Sequence, residues 1–170
     1  MIVDGEAVSI DSGTTGAAAA RALAHRRITA LPMSLQSLIA LQGAASIIVP
    51  GGEMNPVEGS FGGPLLQQSL KTLRLDTALL SCCAADPSAG VMAYTLGDAA
   101  SKRTAQEVAE RTILIAESTK FGRNAMARIC QFDQVTALVS DDGLPESVRE
   151  YCHTHGIAIN LVPREAPLPG

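Results

Sequence analysis

The sequence predicts an α/β domain, with a mostly parallel sheet flanked by helices. Short β-rich runs alternate with helical patterns along nearly the whole chain, and those runs are apolar enough to be buried on both faces. With 170 residues the chain is long enough for one compact domain and short for two. Such a sheet is built by right-handed crossovers and takes ligands beyond the carboxyl ends of its strands.

The elements follow in order. Ala7–Ile10 reads as a strand, and residues 14–27 as a helix whose alanine run 17–20 favours that state. Ile28–Leu31 is the next strand, followed by a helix over 34–42, a strand over Ala45–Val49 and, after a Gly-rich loop, a helix over 64–73. Thr77–Leu80 is a strand and Asp98–Glu110 a helix; Thr112–Ala116 and Val135–Val139 are strands. Pro145–His155 is a helix with Gly156 as its C-cap, and Ile157–Val162 the last strand. The domain is therefore 1–162, and 163–170, with three prolines, reads as a loose tail.

Composition excludes several function classes. A net charge of −4 with no Lys/Arg stripe would repel a nucleic-acid backbone. Cys82, Cys83, Cys130 and Cys152 lack the paired spacing of a zinc site, and His153 and His155 stand two apart, a poor helical geometry for one metal. No metal or cofactor is expected. Nothing reads as a secretory leader, and no run of about eighteen apolar residues occurs, so a reducing cytosol is the expected compartment and no membrane partner is expected.

The loops after the strands are where chemistry is sought: Asp11–Thr15, Pro32–Ser34, Pro50–Gly63, Ser81–Gly97, Glu117–Arg123 and Ser140–Gly143. Asp11-Ser12-Gly13-Thr14-Thr15 leaves an apolar strand and opens a helix, so free N–H groups and the positive helix end converge there. Gly13 allows close approach, and the hydroxyls of Ser12, Thr14 and Thr15 suit phosphate oxygens. Simple helix capping would explain one such hydroxyl but not three beside a glycine. Lys120 lies on a loop at the same sheet edge and either completes a phosphate clamp or is merely solvated. Ser34 either donates to the pocket or caps the second helix. The loop bracketed by Gly51-Gly52 and Gly59–Gly63 is a pocket wall or a plain connection, and Cys82 and Cys83 line the pocket or are simply buried.

With these residues in view, the chain resembles the C-terminal effector domain of DeoR-family bacterial transcriptional regulators, from Val3-Asp4-Gly5 to about Val162. The resemblance rests on Asp11–Thr15, Gly51-Gly52, Ser60 with Gly63-Pro64, Asp76, Gly90, Lys102, Ser118-Thr119-Lys120-Phe121-Gly122 and Ser140-Asp141. It implies the fold of ribose-5-phosphate isomerases, glucosamine-6-phosphate deaminases and CoA transferases, and an effector that is a phosphorylated sugar or related metabolite. By motif, Gly13, Thr14, Thr15 and Lys120 would take the phosphate, while Asp11, Ser34, Ser81 and Lys102 would face the sugar. Glu117 stands where the family usually has Asp, and Ser81-Cys82-Cys83-Ala84-Ala85 replaces a more Gly-rich loop.

The resemblance further implies that DNA is held by a winged helix-turn-helix outside this chain, and that the domain works as a homo-oligomer. An isomerase- or deaminase-like enzyme on the same fold is the alternative, with Glu117 as a conceivable base. It lacks the acidic loop D-G-A-D-E of those isomerases, because the strand containing Asp76 leads into Ser81-Cys82-Cys83-Ala84. On charge alone, this 170-residue chain is expected to give no salt-sensitive gel shift with duplex DNA at physiological salt.

Overall fold

The computed structural model describes residues 1–43 and 46–164. Its centre is a seven-stranded sheet in the order β12-β11-β9-β6-β1-β2-β3, and every neighbouring pair runs parallel. The strands are β1 (Ala7–Ile10), β2 (Thr29–Pro32), β3 (Ser46–Ile47), β6 (Leu75–Ser81), β9 (Ala109–Ile115), β11 (Ala137–Asp141) and β12 (Ala158–Val162).

Two adjacent ladders of side chains explain why these strands are apolar on both faces. Leu79 pairs with Ile113 and Ile113 with Ala137; all three join the core under α1 (Gly13–Leu23) and α2 (Leu35–Ala40). One residue further on, Leu80, Leu114 and Leu138 are paired in the same register and point to the opposite face. There they meet α4 (Leu96–Glu107), α5 (Glu146–Thr154) and a smaller sheet, while α3 (Gly63–Lys71) packs with α4 over Leu31 and Leu75.

The predicted elements are present, with shifted ends. The first helix stops at Leu23 instead of residue 27, because Arg26 and Arg27 turn back to Asp4 at 2.9 and 3.2 Å. The strand expected at Thr112 begins at Ala109, on residues read as the end of the preceding helix, since Leu75 pairs with Ala109. Of the strand expected over Ala45–Val49, Ser46–Ile47 is formed and Ala45 lies outside the described residues. Most of the expected tail, 165–170, does too.

The larger correction concerns segments read as loops. Residues between Ser81 and Gly97 contain β7 (Ala84–Asp86) and β8 (Gly90–Ala93), which form an antiparallel sheet with β10 (Ala127–Cys130). The Gly-rich loop carries a two-stranded ribbon of β4 (Glu53–Met54) and β5 (Phe61–Gly62). Leu138→Ala, at a fully buried rung, is expected to cost about 2–5 kcal/mol in chemical denaturation, against under about 0.5 for Leu161→Ala on the half-exposed edge strand.

Candidate functional site

A cavity of about 780 Å³ opens above the carboxyl ends of the central strands. Strand order sets what lines it: Glu117 and Lys120 follow β9, Ser81 ends β6 with Cys82 and Cys83 after it, and Ser12–Thr15 follow β1. Gln36 and Ile39 of α2 and Glu58 of the ribbon loop close the β2 side. Four strands at about 4.8 Å make this floor roughly 14 Å across.

Helix α1 ends at this cavity without a side-chain cap. Ser12, the N-cap residue, points its hydroxyl at Asp11 (3.4 Å), while Ser34 and Thr95 cap α2 and α4 by accepting from Ser37 and Asp98. The first-turn N–H groups of α1 therefore have no side-chain acceptor among the described residues. Gly13 has φ +78°, a left-handed conformation that a side chain would strain. Gly16 brings α1 still closer, since a Cβ there would sit 1.9 Å from the Asp11 carbonyl oxygen.

Beneath the loop lies a buried network centred on Asp11, which is not among the residues lining the cavity. Its Oδ1 accepts the Ser12 N–H at 2.7 Å; its Oδ2 accepts the Ser81 N–H at 2.6 Å and the Ser81 hydroxyl at 2.7 Å. Lys102 Nζ stands 3.0 Å from the same Oδ2, 3.2 Å from Asp98 Oδ2 and 3.3 Å from the Ser81 carbonyl. An ammonium has three N–H donors, so those of Lys102 are all committed. Burial works against the Lys102 charge, but Asp11 and Asp98 outweigh it and raise the lysine pKa above its ordinary value. Burial also raises the Asp98 carboxyl, with Lys102 pulling the other way.

The structure thus brings Ser12, Gly13, Thr14, Thr15, Ser81, Lys102 and Lys120 to one cavity. Asp11 lies below it, and Ser34, fully buried, stands off it as the α2 cap. Lys120 is half-buried and makes no ion pair among the described residues. Cys82 and Cys83 line the wall, and burial pushes the Cys82 thiol up to about 12, so it stays protonated near neutrality. Asp98, Gln36, Glu58 and Tyr94 were not singled out from sequence. Asp98 alone left a signal, standing four residues before Lys102 on one helix face.

A cavity with a free helix N-terminus over a parallel sheet defines a small-ligand-binding α/β domain. The family described as DeoR C terminal sensor domain matches residues 1–142, and the chain belongs to that family. By that family it is a sensor domain. The transcriptional repressor AccR of Agrobacterium fabrum is 30% identical over 88% of this chain and 62% of its own length. The glycerol-3-phosphate regulon repressor of Escherichia coli K12 is 28% identical over 95% of this chain and 65% of its own length. The chain thus spans less than two thirds of these relatives. Among solved structures, ribose 5 phosphate isomerase A from Neisseria gonorrhoeae shares the fold, with a TM-score of 0.51 at 16% identity over 71% of this chain and 47% of that one.

Lys102→Met would leave Asp11 and Asp98 facing each other without a countercharge, at an expected cost of about 3–5 kcal/mol at neutral pH. Acid should relieve it. A carboxyl such as Asp98, raised in the fold above its ordinary 3.8, favours the fold most fully below that value and loses this contribution as pH rises through the folded-state pKa. Urea denaturation at pH 7 and near pH 4 checks both the size and the sign.

Proposed function

We propose that the chain senses a phosphorylated sugar or related metabolite and passes the signal to a DNA-binding domain outside these residues. The observation that carries this reading is the uncapped N-terminus of α1 facing Lys120 across one cavity. Free amides of Gly13–Thr15, the hydroxyls of Ser12, Thr14 and Thr15, and the Lys120 ammonium, unpaired among the described residues, suit a phosphate group's charge and its several acceptor oxygens. A neutral sugar would leave most of these donors unanswered. The relative named for a glycerol-3-phosphate regulon is in keeping with a phosphorylated polyol.

The sugar would lie along the floor toward Ser81 and α2, over the surface that Asp11 and Lys102 hold in place. Asp11, Ser34 and Lys102 act in this reading by fixing the walls, with Lys102 touching the ligand through its stem. We assign no catalytic step. Asp11 is locked by amides and by Lys102, Asp98 is paired, and the Cys82 thiol is protonated; the other wall carboxylates, Glu117 and Glu58, accept from the hydroxyls of Thr119 and Ser60 at 3.4 and 3.5 Å, and neither is paired with a second proton-transfer group among the described residues.

In this reading no cofactor or metal takes part and the domain works in the cytoplasm. A ligand shifts DNA affinity only by favouring one arrangement of the regulator, and symmetric self-association that positions two DNA-binding heads is the proposed route. Phosphorylated sugars are expected to raise the melting temperature of the chain while their unphosphorylated counterparts leave it unchanged. Lys120→Ala should weaken the best sugar phosphate about ten- to hundredfold in calorimetric titration, with the unliganded melting temperature almost unaltered. Equal shifts from phosphorylated and plain sugars would exclude the reading.

A further inference from the structure

Asp141 lies at the end of β11, is buried, and does not line the cavity, yet both of its carboxylate oxygens are committed to loop backbone. Oδ2 accepts the N–H of Ser118 at 2.7 Å and Oδ1 that of Gly143 at 3.0 Å. Ser118 opens the 3-10 turn Ser118–Lys120, so this bond fixes the start of the short segment that carries Lys120. The far end is fixed separately. The Phe121 ring is buried edge-on against Phe132 at 6.2 Å, and the Gly122 N–H donates to the Ala85 carbonyl at 3.2 Å.

Gly143 permits the close approach, because a Cβ there would stand 2.9 Å from both Asp141 Oδ1 and Ser118 Oγ. Burial pushes the Asp141 carboxyl up, but the amides and hydroxyl of Ser118 and Gly143 more than reverse this and hold it below its ordinary value. It is therefore ionised at neutral pH, as an acceptor of two amide bonds should be. Of the turn's side chains, Lys120 alone is a cation, and it reaches the cavity.

We propose that Asp141 is a positioning residue for phosphate binding: by fixing the amide of Ser118 it sets where the Lys120 ammonium meets the anion. The proposal rests on the reading of Lys120 as a phosphate ligand. A lysine on a loose turn must lose more freedom on binding than one on a fixed turn, so removal of the Asp141 carboxylate lowers affinity through Lys120; Glu117, which lines the cavity beside Ser118, is an anion and adds no phosphate contact.

The test is a double-mutant cycle with inorganic phosphate as the probe, titrated calorimetrically into wild type, Lys120→Ala, Asp141→Ala and the double variant of the whole chain. Asp141→Ala is expected to weaken phosphate about tenfold beside Lys120 and less than about twofold in the Lys120→Ala background. The same loss in both backgrounds, or none beside Lys120, overturns the proposal. If Lys120→Ala binds phosphate as wild type does, the underlying phosphate assignment falls first, and that arm separates the two failures. Should Asp141→Ala fold poorly, Ser118→Pro deletes the same hydrogen bond from its donor side, at a first-turn position that suits proline. It must show the same dependence on Lys120, and a loss independent of Lys120 overturns the proposal equally.

Discussion

The ion pair between Asp11 and Lys102 is the constraint on which the site depends. Two charges with side chains 4% and 5% exposed are costly to bury, and they persist because each is fully answered. Asp11 gathers the amides of Ser12 and Ser81 and the Ser81 hydroxyl, tying the end of β1 to the end of β6. Lys102 then ties both to the first turn of α4 through Asp98. Three separate stretches of chain meet at one carboxylate. With the backbone of Ser12 held there, Gly13 and the opening of α1 follow from it, and Gly16, lacking a Cβ, lets the helix sit close against the Asp11 carbonyl.

The main sheet was legible because its signal is local and redundant. Strands buried on both faces must be apolar at every position, and the paired ladders Leu79–Ile113–Ala137 and Leu80–Leu114–Leu138 are such positions. The antiparallel sheet of β7, β8 and β10 was not legible. Its strands are three or four residues long, and Ala84-Ala85-Asp86 and Gly90–Ala93 are poor in β-branched residues. β7 and β8 pair with each other as a short hairpin, and the sheet is completed by Ala127 and Cys130 meeting Ala93 and Val91 from far along the chain, a pairing that no local pattern announces.

The site was legible in part for the same reason. Residues at a strand end declare themselves by position, and Ser12–Thr15, Ser81 and Lys120, picked out on that ground, line one cavity. What position could not tell was whether a polar side chain faces ligand or protein. Lys102 and Asp11 were read as facing a sugar, yet one has all its donors engaged by protein and the other lies beneath the cavity lining. Sequence marks a buried charge and a binding charge alike, because both are polar residues in an apolar setting, and only the partner list separates them.

That distinction separates the helices as well. The chain caps α2 with Ser34 and α4 with Thr95, so suitable hydroxyls were available to close a helix wherever closure served stability. At α1 a serine occupies the capping position and is drawn toward Asp11 instead, which leaves the helix end open. Leaving a cap unmade costs about 1 kcal/mol. The same carboxylate that fixes the walls thus keeps the amides of α1 free, so the rigidity of the walls and the open helix end have one source. A group that satisfies those amides gains from an arrangement already in place, with no reordering of the loop needed to meet it.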